Sequence, residues 1–313
     1  MNTRMTMNDE IFSYISGYLK KEDAARTAQP HLIVGESGSG KTFLLKRLAA
    51  GIEQESGGIL YPALIDGRSL FSTDDIWRNC ARRIRVDEET AVFDNILSWQ
   101  KTQMRRVVLL IDDIQYYFDR TDEEEQFKLR GNLNRPGAPV IIAASANVPS
   151  SVTDYSAAFF DGFRISYIKP LSTSEIIEFA TGNAGTQRLL ALMSYLPKTP
   201  RSVFTASGIL EVSGNPENDI PLLKQFSAMY CRTKYDGCVM QAQKILSVLA
   251  NMKDGGTLRD IRTATGQNSG DVSPYLKSMV DRGLIIKESK PQRGGRYFIA
   301  DPLLKLWLQE DAK

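Results

Sequence analysis

The sequence has very little histidine and cysteine: one histidine, His31, and three cysteines occur among 313 residues. Cys80, Cys231 and Cys238 form neither a metal-binding spacing nor an even disulfide set, so we expect reduced thiols in a cytosolic protein. A single histidine argues against histidine-bound metals and against Ser-His or Cys-His catalysis. His31 is therefore predicted to be structural.

A charge excess and long apolar runs are also lacking. The 39 basic and 37 acidic residues give a net charge of +2, so any signal for nucleic acid must be local. The longest apolar runs, such as 107–111, are far too short to span a bilayer, and the N-terminal residues lack the apolar core of a signal peptide. We therefore expect a cytoplasmic protein without a membrane partner, with about two domains for its length.

The sequence does contain a glycine-rich phosphate-binding pattern. Residues 35–42 match G-x-x-x-x-G-K-[ST] at every fixed position. The apolar run 31–34 precedes the pattern, and a segment with apolar residues on one helical face follows it, which is the required order of strand, loop and helix. The pattern predicts ATP with Mg²⁺ as the ligand. The predicted nucleotide-binding residues are Gly35, Glu36, Ser37, Gly38, Ser39, Gly40, Lys41, Thr42 and Phe43.

Each residue type in this loop has a chemical reason. The glycines let the backbone wrap around phosphates and point its N–H groups at them. Lys41 is predicted to place its ammonium on the β- and γ-phosphates, and Thr42 to ligate Mg²⁺ through its hydroxyl. The helix that begins near Lys41 adds the positive end of its dipole to the same site.

A second apolar strand, 107–111, ends in two acidic residues, Asp112 and Asp113. Open parallel sheets bind ligands at the carboxyl ends of their strands, so Asp112 is predicted to bind Mg²⁺ through water. Asp113 is predicted to orient and polarise the attacking water. A glutamate is more usual there, and the shorter aspartate predicts hydrolysis that is slow or needs a rearrangement.

Four further residues are catalytic candidates. The predicted strand 140–144 runs into Ser145 and Asn147, and spacing alone does not decide which of the two holds the water. Arg164 and Arg201 are candidate γ-phosphate sensors, because arginine stabilises the charge of a transferring phosphoryl group. Arg201 lies at a predicted helix start, where a basic residue is unfavourable with the dipole, and this cost favours a functional role.

Together these features resemble an AAA+ P-loop ATPase, and more narrowly the branch of initiator and origin-recognition-type ATPases and prokaryotic STAND-like ATPases. In that branch a P-L-S segment opens a helical lid, and residues 170–172 match it. A G-x-P-R segment carries the sensor arginine of the lid, and residues 198–201 match it except for the glycine. The resemblance implies that Arg201 reaches the nucleotide from the lid. For oligomeric members it also implies an arginine finger acting in trans, for which Arg164 is our candidate.

The C-terminal residues show the element order of a winged helix. Helices are predicted over 240–253, 258–265 and 272–282, and strands over 284–286 and 297–299, joined by the basic loop 287–296. A Tyr-x-x-x-Asp-Pro stretch followed by a tryptophan, at Tyr297, Asp301, Pro302 and Trp307, resembles the end of prokaryotic STAND-like ATPases.

A winged helix predicts DNA contact through its third helix and its wing. The predicted DNA-binding residues are Ser273, Lys277, Lys287, Lys290, Arg293 and Arg296. Residues 233–313 hold 13 basic and 9 acidic residues, a net charge of only +4. Winged helices also serve as protein-docking or autoinhibitory modules, so both outputs stay open.

The expected fold class is α/β: a P-loop AAA+ core with a parallel sheet over 1–170, a small helical lid over 171–232 and a winged-helix domain over 233–313. The expected function is an ATP-hydrolysing switch that controls the winged helix. Its predicted partners are double-stranded DNA and either a protein partner or further copies of itself in an ATP-dependent oligomer. One alternative is a STAND-type signalling ATPase that controls protein–protein assembly without DNA. A weaker alternative is a nucleotide-binding scaffold with negligible turnover.

Overall fold

The computed structural model describes residues 9–21, 29–180, 185–266, 269–290 and 293–309. The chain divides into two compact units. The first comprises Met1–Leu171 with Thr199–Arg201, and the second Ser172–Lys198 with Ser202–Lys313.

The first unit contains a five-stranded parallel sheet with the order β2-β3-β4-β1-β5. Its strands are β1 (His31–Val34), β2 (Leu60–Asp66), β3 (Arg106–Asp112), β4 (Val140–Ser145) and β5 (Arg164–Tyr167). Its helices are α1 (Asp9–Lys21), α2 (Lys41–Glu55), α3 (Thr73–Ile84), α4 (Val92–Gln103), α5 (Gln115–Arg120), α6 (Glu123–Leu133) and α7 (Ser150–Thr153), and a short 3₁₀ helix (Gly67–Ser69) follows β2. The predicted α/β core with a parallel sheet is confirmed.

Strand β3 lies inside the sheet, between β2 and β4, and its sequence is a continuous apolar run. Val107, Leu109 and Ile111 belong to the apolar core that includes residues of α3 to α6, whereas Val108 and Leu110 belong to the core with α1 and α2. All five side chains are fully buried. A strand covered on both faces has no polar face, so alternation is lost.

Because the strands are parallel, their carboxyl ends all lie on the same edge of the sheet. The loop 35–40 follows β1 at the carboxyl edge, and Asp113 follows β3 there. The Gly35 N–H donates to the carbonyl of Ser145 at 3.1 Å, which joins the loop to the end of β4. The Ile114 N–H donates to the carbonyl of Ala144 at 2.9 Å. Three distant parts of the chain therefore meet at this edge.

The second unit is mainly helical and carries a small antiparallel sheet with the order β6-β8-β7. Its helices are α8 (Thr173–Phe179), α9 (Thr186–Met193), α10 (Pro200–Ser213), α11 (Asp219–Asp236), α12 (Met240–Ala250), α13 (Leu258–Thr265), α14 (Ser269–Asp281) and α15 (Pro302–Leu308), with a 3₁₀ helix (Pro216–Asn218) before α11. Its strands are β6 (Gly256–Thr257), β7 (Ile285–Lys290) and β8 (Arg293–Ile299). The first two residues of α10 group with the first unit.

Two helices of this unit begin with reciprocal side-chain caps. Ser172 and Glu175 form a capping box at α8, and Thr257 and Asp260 form one at α13. Each box satisfies two backbone N–H groups that the first turn of a helix leaves without a partner.

Two features of the second unit differ from the sequence expectation. Strand β7 ends at Lys290 and strand β8 begins at Arg293, so the prediction of a long loop over 287–296 is wrong. Most side chains in this stretch are charged or absent, so no apolar alternation indicated strands. The strands pair nevertheless, because their hydrogen bonds are made by the backbone. Helix α11 also runs through residue 232 without a break, and the division of this unit into a lid and a terminal domain stays a prediction.

Candidate functional site

The loop 35–40 depends on glycines at points of close approach. Gly38 has φ 82° and Gly40 has φ 96°, a left-handed backbone that side chains disfavour. A Cβ on Gly35 would lie 2.8 Å from the Ser39 Oγ, and a Cβ on Gly38 would lie 2.8 Å from the Cβ of Arg201. The loop therefore forms a backbone cradle with no room for side chains at these positions.

The Lys41 side chain lies inside this cradle and is only 7% exposed. Its Nζ donates to the carbonyl of Gly35 at 2.6 Å and to that of Glu36 at 3.0 Å. Burial lowers the pKa of the Lys41 ammonium, and the negative charges of Asp113 and Asp112 partly offset this effect. The ammonium is thus held among carbonyl groups and within electrostatic reach of both acids.

Thr42 and Asp112 contact each other directly. The Thr42 Oγ1 donates to the Asp112 Oδ2 at 2.6 Å. Within the described residues, no group of three or more His, Cys, Asp or Glu could hold a metal ion. Mg²⁺ needs no such cage, because it keeps several waters and binds through one or two protein oxygens plus phosphate. The next residue, Phe43, is 63% exposed.

Asp113 adopts a backbone conformation that is uncommon for a residue with a side chain. Its φ is 53°, and the Gln115 Nε2 donates to its Oδ1 at 3.3 Å. Gly67, in the turn after β2, packs so closely that a Cβ there would lie 2.5 Å from the Asp113 carbonyl and 2.6 Å from that of Asp112. Sequence reasoning missed Gly67, because its close approach to the acid pair comes from the pairing of β2 with β3 and leaves no local pattern.

A third carboxylate, Asp66, also reaches this edge, because its register partner in the sheet is Asp112. It accepts three side-chain hydrogen bonds from Arg68: Nε donates to Oδ1 at 3.0 Å and to Oδ2 at 3.2 Å, and Nη2 donates to Oδ2 at 2.8 Å. These bonds lower the pKa of the Asp66 carboxyl. Sequence reasoning missed this ion pair, in which the positive charge of Arg68 partly offsets the negative charge of Asp66.

Ser145 and Asn147, which the sequence could not separate, have different environments. Ser145 is fully buried, and its Oγ donates to the backbone carbonyl of Asn147 at 2.5 Å. Asn147 itself is exposed. Only Asn147 therefore presents its side chain to solvent.

Arg201 lies against the phosphate loop. Its N–H donates to the carbonyl of Gly38 at 3.4 Å, and its positive charge is one of the effects that lower the pKa of Lys41. Thr199, two residues earlier, is 3% exposed and also faces Gly38, whose Cβ would lie 3.3 Å from the Thr199 Oγ1. The structure therefore brings Arg201 to the loop that carries Lys41, and its role as a sensor stays a prediction.

Arg164 is not brought to the phosphate loop. The pairing of β5 with β1 places it opposite His31, about 10 Å along the strand from Val34, after which the loop begins. Its guanidinium donates to the Gln29 Oε1 at 3.0 Å and the Tyr14 Oη at 3.5 Å. Arg164 therefore lies at the amino edge of the sheet. The prediction that Arg164 senses the γ-phosphate within its own chain is wrong. Its role across a subunit interface stays a prediction.

In the second unit, α14 presents a polar face to solvent. Ser273 and Lys277 are exposed, whereas Val272, Leu276 and Met279 are buried. The residues predicted to contact DNA from this helix are thus on its accessible side.

The hairpin residues predicted to contact DNA differ among themselves. Lys287 is exposed on β7. The Arg296 Nη1 instead donates to the carbonyls of Asp254 and Gly255 at 2.8 and 3.1 Å and so holds the turn before β6. The side chains of Lys290 and Arg293 lie outside the described part of the chain.

The residues at the carboxyl edge of the large sheet fit a nucleoside triphosphate with Mg²⁺. Among the described residues, the buried Oγ of Ser39 has no hydrogen-bond partner. A buried polar atom without a partner requires an explanation such as a ligand. The Lys41 ammonium suits phosphate, and the Thr42 and Asp112 oxygens suit Mg²⁺.

Comparisons with known proteins agree with this geometry. Residues 24–150 match the protein family described as "AAA domain". No curated protein matches the sequence. None of the described helices is both long and apolar enough to cross a membrane.

The fold is similar to that of the Walker-type ATPase of Pyrococcus abyssi, with 13% identity, a TM-score of 0.62 and coverage of 96% of this chain and 95% of that one. It is also similar to Drosophila ORC bound to DNA (12% identity, TM-score 0.55, 98% and 87% coverage). A third similar structure is the ORC1 protein of Aeropyrum pernix in complex with DNA (13% identity, TM-score 0.53, 99% and 93% coverage). At these identities the similarity shows the fold alone.

Proposed function

We propose that this protein is an ATP-hydrolysing switch whose nucleotide state controls its C-terminal module. The observation that carries the proposal is the meeting of three separate segments at one sheet edge. These are the phosphate loop, the acids Asp112 and Asp113, and Arg201. This is the set of groups that phosphoryl transfer needs, namely a phosphate cradle, a metal site and a positive charge.

Each residue has a distinct role in the proposed reaction. The loop N–H groups and Lys41 hold the phosphates, and Thr42 and Asp112 hold Mg²⁺, which when bound neutralises developing charge on the phosphates. Asp113 accepts a hydrogen bond from the attacking water and orients it. Asn147 is the better second contact for this water, because the hydroxyl of Ser145 is already bonded within its own turn.

Arg201 connects the site to the rest of the chain. It is the second residue of α10, whose residues from Ser202 onward belong to the second unit. Its N–H bonds Gly38, so a shift of the phosphate loop changes the position of the first turn of this helix. A sensor on such a helix can favour one of two arrangements of the chain, depending on the nucleotide.

Kinetics of three variants test the sensor role. Arg201→Gln is expected to lower ATP turnover about 100-fold or more, because the charge that stabilises the transition state is lost. Arg201→Lys should retain part of the activity, and the exposed Arg232→Gln should match the unaltered protein. In the unaltered protein, the pattern of limited proteolysis within residues 202–309 should differ between the ATP-bound and ADP-bound states. In Arg201→Gln the two patterns should be the same. Normal turnover in Arg201→Gln would overturn the sensor role.

For the output, we propose contact with double-stranded DNA. The order of α12, β6, α13, α14, β7 and β8 supports a winged helix, and Lys277 and Lys287 are exposed on its third helix and hairpin. Two proteins of similar fold are described in complex with or bound to DNA.

Salt dependence of DNA binding tests this output. Binding to a duplex should weaken steeply with salt, because phosphate contacts release counterions. Lys277→Glu should weaken it further, while Lys244→Glu, an equal charge change on α12, should have a smaller effect. Arg296 is unsuitable for this test, since it holds the 254–255 turn. Absent or salt-insensitive binding, with and without ATP, would reject the DNA output.

A second candidate is a signalling ATPase that controls protein assembly without DNA. The apolar side chains of Phe226 and Met229, 64% and 82% exposed on α11, favour it, together with the modest net charge of +4 over 233–313. ATP-dependent assembly, measured as a mass change with a slowly hydrolysed ATP analogue, and no DNA binding would support this candidate over the first.

A further inference from the structure

A second concave site lies at the amino ends of β2 and β3, on the edge of the sheet opposite the phosphate loop. It is a cavity of about 560 Å³ bounded by the end of α4, the start of β3 and the turn before β4. This volume is typical of pockets for small molecules. The cavity belongs entirely to the first unit, and the proposed ATPase cycle does not use it.

Hydrogen bonds hold one wall of this cavity in place. The Gln100 Nε2 donates to the carbonyl of Gly137 at 2.8 Å, and the Gln100 Oε1 accepts from the Val107 N–H at 2.7 Å. Gln100 therefore ties α4 to β3 and to the turn before β4. Because both ends of its amide are bonded, the wall is set before any ligand arrives.

The apolar lining comes from Ile59, Leu97 and Met104. Ile59 and Met104 are 59% and 85% exposed, which is high for large apolar side chains. Met104 also has φ 51°, a left-handed conformation that is unfavourable for a residue with a side chain. This left-handed residue is the C-cap of α4, so the helix end fixes Met104 at the rim of the cavity.

The charges around the cavity are all positive. Among the described residues, its lining includes Lys101, Arg105 and Arg106 and no aspartate or glutamate. The Arg105 guanidinium lies over the Tyr61 ring, 5.0 Å from its centroid. Within the described chain, the buried Nε of Arg105 has no hydrogen-bond partner. A buried cationic donor without an acceptor is unfavourable, and an anionic oxygen would satisfy it.

We propose that this cavity binds a small amphiphilic anion, with one carboxylate or sulfonate group on an apolar body. The anionic group bonds the Arg105 guanidinium and is attracted by Lys101, and the apolar body packs against Leu97 and Met104. Such a ligand is chemically distinct from ATP and binds at the other edge of the sheet. The proposal therefore stands or falls independently of the proposed ATPase.

A titration with 8-anilinonaphthalene-1-sulfonate, an aromatic sulfonate, tests the proposal on the full-length protein with Mg²⁺ and excess ATP present. The ¹³C-labelled methyl group of Met104, assigned with Met104→Leu, is expected to shift in a saturable manner. Decanoate should reverse the shift, whereas decanol, which has the same apolar chain without the charge, should not. An unchanged Met104 signal, or equal displacement by decanol, overturns the proposal.

Variants separate the anion contact from the apolar one. Arg105→Gln should weaken binding of the sulfonate about tenfold or more, since a charge-assisted hydrogen bond is lost. Arg78→Gln, an exposed arginine on α3, removes the same charge outside the cavity and should leave binding unchanged. Leu97→Trp, which fills the cavity, should abolish the Met104 shift even if Arg105→Gln does not fold. Binding that is unaffected by Leu97→Trp contradicts the proposal.

Discussion

Thr42 and Asp112 are 70 positions apart in the sequence, yet the Thr42 hydroxyl donates a 2.6 Å hydrogen bond to the Asp112 carboxylate. Thr42 lies in the first turn of α2, and Asp112 is the last residue of β3. Their contact places one hydroxyl and one carboxylate oxygen where a divalent cation could bind both. Four predictions concern residues of this site, and a fifth concerns His31 at the opposite edge of the sheet.

Lys41→Ala is expected to abolish ATP binding. The variant removes the buried ammonium that lies within electrostatic reach of both acids and that the proposal places on the phosphates. A loss of about 100-fold or more in affinity is expected for a charge-assisted contact to phosphate, measured by calorimetry. Lys46→Ala, an exposed lysine on the same helix, is the control and should bind normally. Retained affinity in Lys41→Ala would contradict the assigned loop chemistry.

Asp113→Asn should retain ATP and fail to hydrolyse it. The amide keeps the size of the side chain and loses the negative charge that polarises water, so turnover should fall by about 100-fold or more. Phosphate release and ATP affinity, measured on one preparation, check the two halves of the prediction. Asp119→Asn, an exposed acid on α5, should change neither. Unchanged turnover would show that another group activates the water.

Gly67→Ala should slow hydrolysis although Gly67 contacts no proposed ligand. The added Cβ would lie 2.5 Å from the Asp113 carbonyl and 2.6 Å from the Asp112 carbonyl, so the backbone of the acid pair must shift. Small misplacements of catalytic groups are costly, and a loss of about 10-fold or more is expected. In Gly131→Ala, among the described residues, the added Cβ meets no atom within 4 Å, and activity should be normal. Equal turnover of the two variants would show that the acid pair tolerates displacement.

Gly38→Ala and Gly58→Ala separate backbone strain from the contact with Arg201. Both glycines have positive φ, 82° and 85°, so both variants should lose about 1 kcal/mol of unfolding free energy. Only the Cβ on Gly38 meets Arg201, at 2.8 Å, whereas among the described residues the Cβ on Gly58 meets nothing within 4 Å. Gly38→Ala alone should weaken ATP binding. Chemical denaturation and calorimetry check the two effects, and similar ATP affinities would show that the close approach to Arg201 is unimportant.

The stability of the first unit should depend on His31 between pH 4 and pH 6.5. Burial, and secondly the charge of Arg164, lower the pKa of His31 from 6.5 to about 4. The unfolded chain therefore binds more protons than the folded chain in this window. The contribution of His31 to the free energy of unfolding is complete above pH 6.5 and is lost as the pH drops toward 4. The loss is about 3 kcal/mol.

His31→Gln tests this dependence, because the sequence has no other histidine. Glutamine can still bond Ser166, the 3.0 Å partner of the His31 Nε2, but it does not titrate. Urea unfolding at pH 7 and pH 4.5 should show a smaller pH effect in the variant. Parallel pH profiles for both proteins would mean that His31 is not responsible.

Much of the candidate site could be predicted because it depends on short-range patterns. The fixed residues of the phosphate loop lie within eight positions, and the acids directly follow an apolar strand. Capping at Ser172 and Thr257 is likewise local, since both partners are three residues apart. The hairpin was predicted less well, because its charged strands have no apolar periodicity.

The sequence by itself determined the phosphate loop, the apolar strands of the parallel sheet and the acids at the end of β3, because each is specified by residues close together in the chain. Only the tertiary structure decided which distant residues join them. It placed Gly67 against the acid pair and Arg201 against Gly38, and it carried Arg164 to the opposite edge of the sheet. The physical reason is strand register and order. A residue at the start of a strand and one at its end look alike in sequence, but they face opposite edges once the strands are aligned.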